Sequence, residues 1–169
     1  IAVFIGSNHA PNNFALQTLI DVAAQCENIA FLIMGSVCSS PVRKPIPANM
    51  RLLGLLSETE QAVAFQAANV AVNPVSEGSG SSLKILDYIA FRIPVLSTPW
   101  GVRGFALENG KHLWLREIAD FPLAIKQMTE TGNQGEMIKM AQAAYLHAEA
   151  LYDWDYVCNP LIEQLSEAL

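Results

Sequence analysis

Residues 69–87 read NVAVNPVSEGSGSSLKILD and pass from a short apolar run, through a loop of small residues, into a helical pattern. Residues 69–73 have the apolar, β-branched character of a buried strand. The helix is predicted to begin at Ser79 or Ser81 and to end at about Phe91. A strand, a glycine-rich loop and a helix in this order predict one unit of an α/β domain, with the loop at the carboxyl edge of a parallel sheet.

The same alternation of apolar runs and helical patterns extends along the chain in both directions. Five further runs have the length and composition of short strands, and these are residues 1–5, 29–34, 51–54, 94–97 and 111–115. Strands that alternate with helices favour a parallel sheet with right-handed crossovers. We therefore predict a Rossmann-like, doubly wound α/β fold, with a parallel sheet of about six strands and helices on both faces.

Helix signals separate the first strands. Pro11 stands at a first-turn position of a helix whose apolar pattern extends to Ala23, before the chain turns near residues 27–28. Ser57 and Glu60 have the spacing of a capping box, which predicts a helix from there to about Ala68. These two helices connect the predicted strands on either side of them.

The C-terminal part of the chain is predicted to be helical. Asp120 is expected to cap one helix, and apolar residues at helical spacing predict two more, over residues 137–148 and 154–165. Pro160 should bend or interrupt the last helix. The proline-rich and serine-rich segment 35–47, by contrast, is predicted to be a loop, with or without a short helical turn.

Length and composition limit the classes of protein to consider. Residues 1–169 have the length of one domain, and 51% of them are hydrophobic while 15% are charged, as expected for a sheet covered on both faces. The net charge of −6 disfavours binding to nucleic acid, which takes clustered Lys and Arg. An anionic small ligand is compatible with this charge, because backbone amides and a helix N-terminus can hold phosphate.

The cysteines and the apolar runs indicate the cellular compartment of the protein. Cys26, Cys38 and Cys158 are odd in number and lack metal-ligand spacing, so we expect free thiols in a reducing compartment and a cytoplasmic protein. No apolar run reaches the roughly 18 residues that a membrane span needs. The sequence begins at Ile1 without Met and enters a strand at once, which is compatible with a fragment of a longer chain.

The loop within residues 69–87 is the first candidate site. Gly78 and Gly80 let the backbone approach a ligand closely, and the free amides of Ser81, Ser82 and Leu83 are expected at the helix start, where an anion would bind. Lys84 and Asp87 share one helix face, so that Lys84 could reach a phosphate and Asp87 could accept hydrogen bonds from ribose hydroxyls. Alternatively, the glycines only make a turn, and Lys84 and Asp87 form an exposed ion pair.

Other polar residues leave alternatives open. Residues 6–11 form a second candidate loop, although they lack the Gly-x-Gly-x-x-Gly pattern of a standard dinucleotide site. His9 is either a phosphate ligand or an exposed loop residue, and Glu77 either binds a sugar hydroxyl or is a solvated loop residue. His112 and His147 are interpreted as structural. No Ser-His-Asp set and no cluster of metal ligands is found.

With these residues in view, the sequence resembles the C-terminal domain of the retaining glycosyltransferases of the GT-B fold, in the large glycosyl transferases group 1 family. The resemblance covers nearly the whole chain. It is carried by VFIGSNHAPN at 3–12, FLIMG at 31–35, RLLGLLS at 51–57, NVAVNP at 69–74 followed by Gly78, Ser79, Gly80, Lys84 and Asp87, PVLSTP at 94–99 and YDW at 152–154.

The resemblance implies transfer of a sugar from a nucleoside diphosphate sugar to an acceptor hydroxyl, with retention at the anomeric carbon and with no metal or other cofactor. Lys84 and Glu77 are then the catalytic candidates, with Lys84 as the main cation for the diphosphate and Asp87 at the ribose. The implied donor-binding residues are Gly6, Ser7, Asn8, Gly54, Leu55, Ser79, Gly80, Ser81, Ser82, Lys84 and Asp87.

The chain departs from the family pattern at several positions. The family usually has Glu at the position of Asp87, whose side chain is one methylene shorter. Many members have an earlier Glu at the position of Ser79, and Glu77 is the nearest candidate to replace it. The Arg and Lys pair that often contacts the diphosphate is not evident in the first loop.

The resemblance also implies partners. Residues 1–169 correspond to the nucleotide-sugar-binding half, and the N-terminal, acceptor-binding domain is absent from this sequence. Any peripheral membrane association would occur through that missing half. We expect the chain alone to bind the donor without transferase activity. A nucleotide-sugar epimerase half and a non-catalytic binding or interaction domain are the two alternatives.

Overall fold

The computed structural model describes residues 1–153, 157–159 and 164–166. Its strands are β1 (Ala2–Ile5), β2 (Phe31–Met34), β3 (Met50–Gly54), β4 (Val70–Asn73), β5 (Val95–Ser97) and β6 (Trp114–Leu115). Its helices are α1 (Ala10–Ala24), α2 (Glu58–Gln66), α3 (Lys84–Ala90), α4 (Phe121–Thr129) and α5 (Gln134–Tyr152). The strands form one parallel sheet in the order β3-β2-β1-β4-β5-β6. The predicted fold class is therefore confirmed.

Helices cover both faces of the sheet. Because successive side chains of a strand point to opposite faces, each strand can contribute to two apolar cores. Ala2 and Phe4 of β1 belong to an apolar core that includes buried residues of α1 and α4. Val3 belongs to a second core, together with buried residues of α2, α3 and α5. The strands are thus buried on both sides, as is usual for a parallel sheet.

The glycine-rich loop is longer than the sequence predicts. We expected a helix from Ser79 or Ser81, but α3 begins at Lys84. Gly78 and Gly80 have φ values of +108° and +77°, which are outside the helical range. The chain therefore enters the helix only after the serines that follow these glycines.

Two predicted strands are shorter than expected by two residues or more. The sixth was predicted over residues 111–115, but β6 covers only Trp114–Leu115. The preceding residues turn, because the N–H groups of Lys111 and His112 both donate to the carbonyl of Glu108, at 3.3 and 3.0 Å. The second was predicted from residue 29, but the Ile29 N–H donates to the Cys26 carbonyl in the turn after α1, so β2 begins two residues later.

Several local predictions concern the remaining segments. A 3-10 turn at Ser36–Ser39 interrupts the loop predicted over 35–47. Asp120 occupies the N-cap position of α4, as predicted, but its side chain makes no capping hydrogen bond. The interruption predicted at Pro160 lies outside the described residues.

Cys26, Cys38 and Cys158 are free thiols, and burial raises the pKa of the Cys26 and Cys38 thiols.

Over the described ranges, none of the helices has both the length and the apolar character that crossing a membrane requires.

The start of α2 confirms the predicted capping box. The Ser57 hydroxyl accepts a hydrogen bond from the Glu60 N–H at 3.3 Å, and the Glu60 carboxylate accepts from the Ser57 N–H at 2.9 Å. The Ser57 hydroxyl also donates to Glu60 Oε2 at 2.7 Å, and these bonds lower the pKa of the Glu60 carboxyl. Two N–H groups that a free helix end would leave unpaired are therefore satisfied.

Replacing Ser57 with Ala should lower the free energy of unfolding by about 1 kcal/mol, because the Glu60 N–H loses its acceptor. Urea denaturation followed by circular dichroism measures the change. Thr59→Ala in the same helical turn is the control, and it should leave the free energy of unfolding unchanged or slightly higher. Equal effects of the two substitutions would contradict a capping role for Ser57.

Two histidines join the turn before β6 to α5. His112 is 2% exposed, and its imidazole accepts a hydrogen bond from the Glu108 N–H at 3.1 Å and stacks on the ring of His147 with 4.2 Å between centroids. His147 in turn contacts the carbonyl of Ala106. Burial, then the nearby His147 and Lys111, lower the pKa of His112, while Glu108 acts in the opposite direction. The folded protein therefore favours neutral His112.

The free energy of unfolding should fall as the pH drops below 6.5, the ordinary pKa of His112, because the unfolded chain then binds a proton that the folded chain resists. In His112→Gln, the difference in this free energy between pH 7.5 and pH 5.5 should be smaller than in the wild type. Thr59→Ala, which replaces an exposed residue without an ionisable group, is the control and should keep the wild-type pH dependence. Urea denaturation at the two pH values distinguishes these outcomes.

Candidate functional site

A cavity of about 370 Å³ lies at the carboxyl edge of the sheet, where the loops after β1 and β4 meet. These strands are adjacent, and the strand order reverses between them, which is where ligands bind in open α/β sheets. The lining residues come from the loop after β1, the segment from β4 into α3, and the loop after β5, and they are residues 5–7, 9, 11, 12, 75, 77–84, 87 and 103.

Helix α3 is anchored under this cavity by Tyr88. The buried Tyr88 hydroxyl accepts a hydrogen bond from the Ile5 N–H at 3.0 Å, at the end of β1. Burial raises the pKa of Tyr88 far above its ordinary value, so the hydroxyl is neutral. Because residues four apart lie on one helix face, this contact directs Lys84 toward the end of β1 as well.

Lys84 lies in the cavity wall, and none of the described acidic residues forms an ion pair with it. Its Nζ donates to Oδ1 of Asn12 at 2.5 Å and lies 4.5 Å from the centroid of the Phe4 ring. Burial lowers the pKa of Lys84 to about 8. Among the described residues, the salt bridges are Lys44–Asp21 and Lys111–Glu108, so the alternative of a Lys84–Asp87 ion pair is wrong.

Asn12 links the first loop to α3, and the sequence analysis missed it. Its Nδ2 donates to the carbonyl of Ser7 at 3.0 Å and to the Ser7 hydroxyl at 3.2 Å, while its Oδ1 accepts from Lys84. The one available signal was its place in the first turn of the helix after β1, directly after Pro11. The Asn12 amide thus fixes both the loop after β1 and the ammonium of Lys84.

The glycine-rich loop presents unpaired backbone donors. Within the described part of the chain, the N–H groups of Ser81, Ser82 and Leu83 donate no backbone hydrogen bond. Gly78 has φ +108°, and a Cβ there would lie 2.7 Å from Cγ of Pro11, so only glycine allows this close approach of the two loops. The loop therefore offers free amides at the cavity, although they precede α3 and do not belong to its first turn.

Two carboxyl groups complete the polar lining. Glu77 and Asp87 both line the cavity, and both residues are exposed. Partial desolvation of the Asp87 carboxyl raises its pKa. Asp87 lies one helical turn after Lys84, so a ligand that reaches the ammonium also meets this carboxyl.

Not every predicted residue lines the cavity. Gly6, Ser7, residues 79–82, Lys84 and Asp87 do, whereas Asn8, Gly54 and Leu55 do not. The Asn8 N–H donates to the Ser36 hydroxyl at 2.8 Å, and the Gly54 carbonyl accepts from the Gly35 N–H at 2.7 Å. These residues lie farther along the same carboxyl edge, where the side chain of Leu55 is 81% exposed.

Of the three histidines, only His9 lines the cavity. His9 lines the cavity from the N-cap position of α1, with an exposed side chain that makes no capping hydrogen bond. His112 and His147 stack on each other outside the cavity lining.

Arg103 also lines the cavity, and nothing in the sequence pattern pointed to it. It follows the 3-10 turn Trp100–Val102 after β5. The structure thus brings a second cationic side chain to the cavity, from the loop after β5, which is the strand next to β4.

Comparison with known proteins identifies a family that matches most of the chain. The family model described as "Glycosyl transferases group 1" matches residues 1–131. No curated protein sequence matches the chain significantly.

Several solved structures share the fold at low sequence identity. HepE from Anabaena, solved with UDP and glucose, has a TM-score of 0.78 and 18% identity, over 98% of this chain and 48% of HepE. Sucrose-phosphate synthase from Thermosynechococcus elongatus has a TM-score of 0.74 and 19% identity, over 99% of this chain and 46% of the synthase. This chain therefore spans about half the length of either protein.

A third structure contains a single domain of similar extent. The C-terminal domain of LpcC, a glycosyl transferase group 1 family protein from Francisella tularensis, has a TM-score of 0.67 and 13% identity, over 90% of this chain and 85% of that domain. The fold is thus that of the C-terminal domain of LpcC, as the sequence resemblance predicted. Since the family model covers most of its length, the chain belongs to the glycosyl transferases group 1 family.

Proposed function

We propose that this chain binds the nucleoside diphosphate sugar of a glycosyltransferase, in the cavity between the loops after β1 and β4. The observation that carries the proposal is the ammonium of Lys84, which is held at this cavity by a neutral amide and has no acidic partner in the described part of the chain. Family membership supports the same function, because sugar transfer from an activated donor is what the sequence resemblance implied.

The diphosphate fits the chemistry of the glycine-rich loop. The free N–H groups of Ser81, Ser82 and Leu83 and the charge of Lys84 are donors suited to phosphate oxygens. During sugar transfer, negative charge grows on the leaving diphosphate. Donors that are already in place stabilise that charge without reorganisation, so the contribution of these residues to catalysis would be electrostatic.

The remaining donor contacts follow from the position of the diphosphate. Asp87 would accept hydrogen bonds from the ribose hydroxyls, and Glu77 from a hydroxyl of the transferred sugar. Gly6 and Ser7 line the opposite side of the cavity. Gly54 and Leu55, farther along the carboxyl edge, would border the base.

The wider reaction extends beyond this chain. HepE, which is about twice as long, was solved with UDP and glucose, so UDP is the first nucleotide to test here. We propose that the acceptor is held by a second domain, that the sugar is transferred to an acceptor hydroxyl with retention, and that the chain alone binds donor without transferring it.

Isothermal titration of the chain with UDP, GDP and ADP should reveal binding of one of them. Lys84→Ala should raise the Kd of that nucleotide roughly tenfold to a hundredfold, because a hydrogen-bonded charge pair is lost. Asp87→Ala should raise it several-fold, through the ribose. Lys139→Ala, which removes an exposed lysine outside the cavity, is the control and should leave the Kd unchanged.

Absence of binding by the wild type at millimolar UDP, GDP and ADP would contradict the proposed function. Circular dichroism of each variant distinguishes a lost contact from a lost fold.

The affinity should also depend on pH through Lys84. Its pKa is about 8 in the free protein, and a bound diphosphate would raise this pKa, so binding is strongest below pH 8 and weakens as the pH rises above it. Titrations from pH 7 to 9.5 avoid the phosphate pKa near 6. Lys84→Arg keeps its charge throughout this range, and its Kd should be nearly independent of pH; a wild-type Kd that stays flat would contradict a role for the Lys84 ammonium.

A further inference from the structure

Arg103 reaches the cavity from the β5 side. Arg103 follows the turn Trp100–Val102. A Cβ built on Gly78 would lie 4.0 Å from Nη2 of Arg103. The guanidinium lies 4.7 Å from the centroid of the Trp100 ring, and Nη1 donates to the Trp100 carbonyl at 3.1 Å. The guanidinium is therefore close to the loop whose free amides we assign to the diphosphate.

The backbone that carries Arg103 is tied to β4 by buried hydrogen bonds. The Thr98 hydroxyl donates to the Val75 carbonyl and accepts from the Gly101 N–H at 2.9 Å. The Asn73 Nδ2 donates to the Gly101 carbonyl at 3.0 Å. These bonds fix the loop after β5 relative to the loop after β4.

The two loops also pack directly on each other at Gly104. This residue has φ +86°, and a Cβ there would collide with Oγ of Ser81. A Cβ there would displace the Ser81 hydroxyl, and the positive φ would strain the backbone of any residue other than glycine. The position of Arg103, one residue earlier, is thus set by the same contact that positions the glycine-rich loop.

The charge of the cavity indicates what Arg103 contributes. Apart from the imidazole of His9, the ionisable groups of the lining are the carboxyls of Glu77 and Asp87, the ammonium of Lys84 and the guanidinium of Arg103. Without Arg103, two carboxyls would face a single cation, and the charged groups of the lining would disfavour a diphosphate. With Arg103, the carboxyls are balanced, and the free amides can attract the anion.

The guanidinium has donors available for this role. Among the described residues, its one hydrogen bond is that of Nη1 to the Trp100 carbonyl, and no carboxylate lies within salt-bridge distance. A guanidinium carries five N–H donors in a planar fork that matches two phosphate oxygens. The contact with the Trp100 ring and the hydrogen bond to the Trp100 carbonyl restrain the position of this fork.

We propose that Arg103 binds the diphosphate of the donor from the β5 side of the cavity, while Lys84 binds it from the β1 side. Arg103 thereby supplies the second cation that the first loop of this chain lacks. The inference rests on the proposed function, since it concerns the same ligand.

Titration of Arg103→Ala and Arg103→Gln with UDP, GDP, ADP and inorganic pyrophosphate tests the proposal. The Gln variant keeps most of the side-chain length, and therefore checks that lost packing is not the cause. Both variants should raise the Kd of the nucleotide that binds, and of pyrophosphate, by the same factor of roughly ten to a hundred.

Arg116→Ala is the matched control. Arg116 lies 4.8 Å from the Trp114 ring and donates Nη1 to the Leu115 carbonyl at 2.8 Å, so its contacts repeat those of Arg103, but it does not line the cavity. Its removal should leave every Kd unchanged.

Three results would overturn the proposal. If both Arg103 variants bind like the wild type while Lys84→Ala binds weakly, Arg103 is not a ligand, and the proposed donor site stands. If the Arg103 variants lose affinity for the nucleotide but not for pyrophosphate, Arg103 acts on the base or ribose. If the wild type binds none of the nucleotides, the proposed function fails together with this inference.

Discussion

The reversal of strand order at β1 is the constraint on which the site depends. From β1 the chain proceeds outward through β2 to β3, and it then returns to the other side of β1 to form β4, β5 and β6. The loops after β1 and β4 therefore diverge and leave a gap between adjacent strands. Tyr88 and Asn12 both bridge that gap, and together they determine where the ammonium of Lys84 lies.

The partners of Lys84 follow from that geometry. An ammonium beside an amide oxygen and an aromatic ring is partly desolvated, and no acidic residue that the structure describes compensates for the lost water. In the proposed function, a bound diphosphate supplies the missing charge. The free protein would then be less stable than it would be with an acidic partner at Lys84, which is a common cost at binding sites.

Local patterns in the sequence predicted the fold well, because the signals that start and end its elements lie within a few residues of each other. The capping box of Ser57 and Glu60 is an example, and it forms as expected. The site was harder to predict, since its contacts join distant segments. Lys84 meets Asn12 across 72 positions, and Arg103 reaches Gly78 only because β5 pairs with β4. Even the start of α3 depended on backbone angles at Gly78 and Gly80 that composition alone does not give.

The turn that shortens β6 has a further effect, at the margin of the sheet. A long, flat margin presents a row of unpaired N–H and carbonyl groups, on which another chain can add a strand and begin to aggregate. Here that margin is two residues long, and the charged Arg116 follows it directly. A second molecule would find few groups to pair with, so the turn at Glu108 also protects the protein against growth of the sheet from this side.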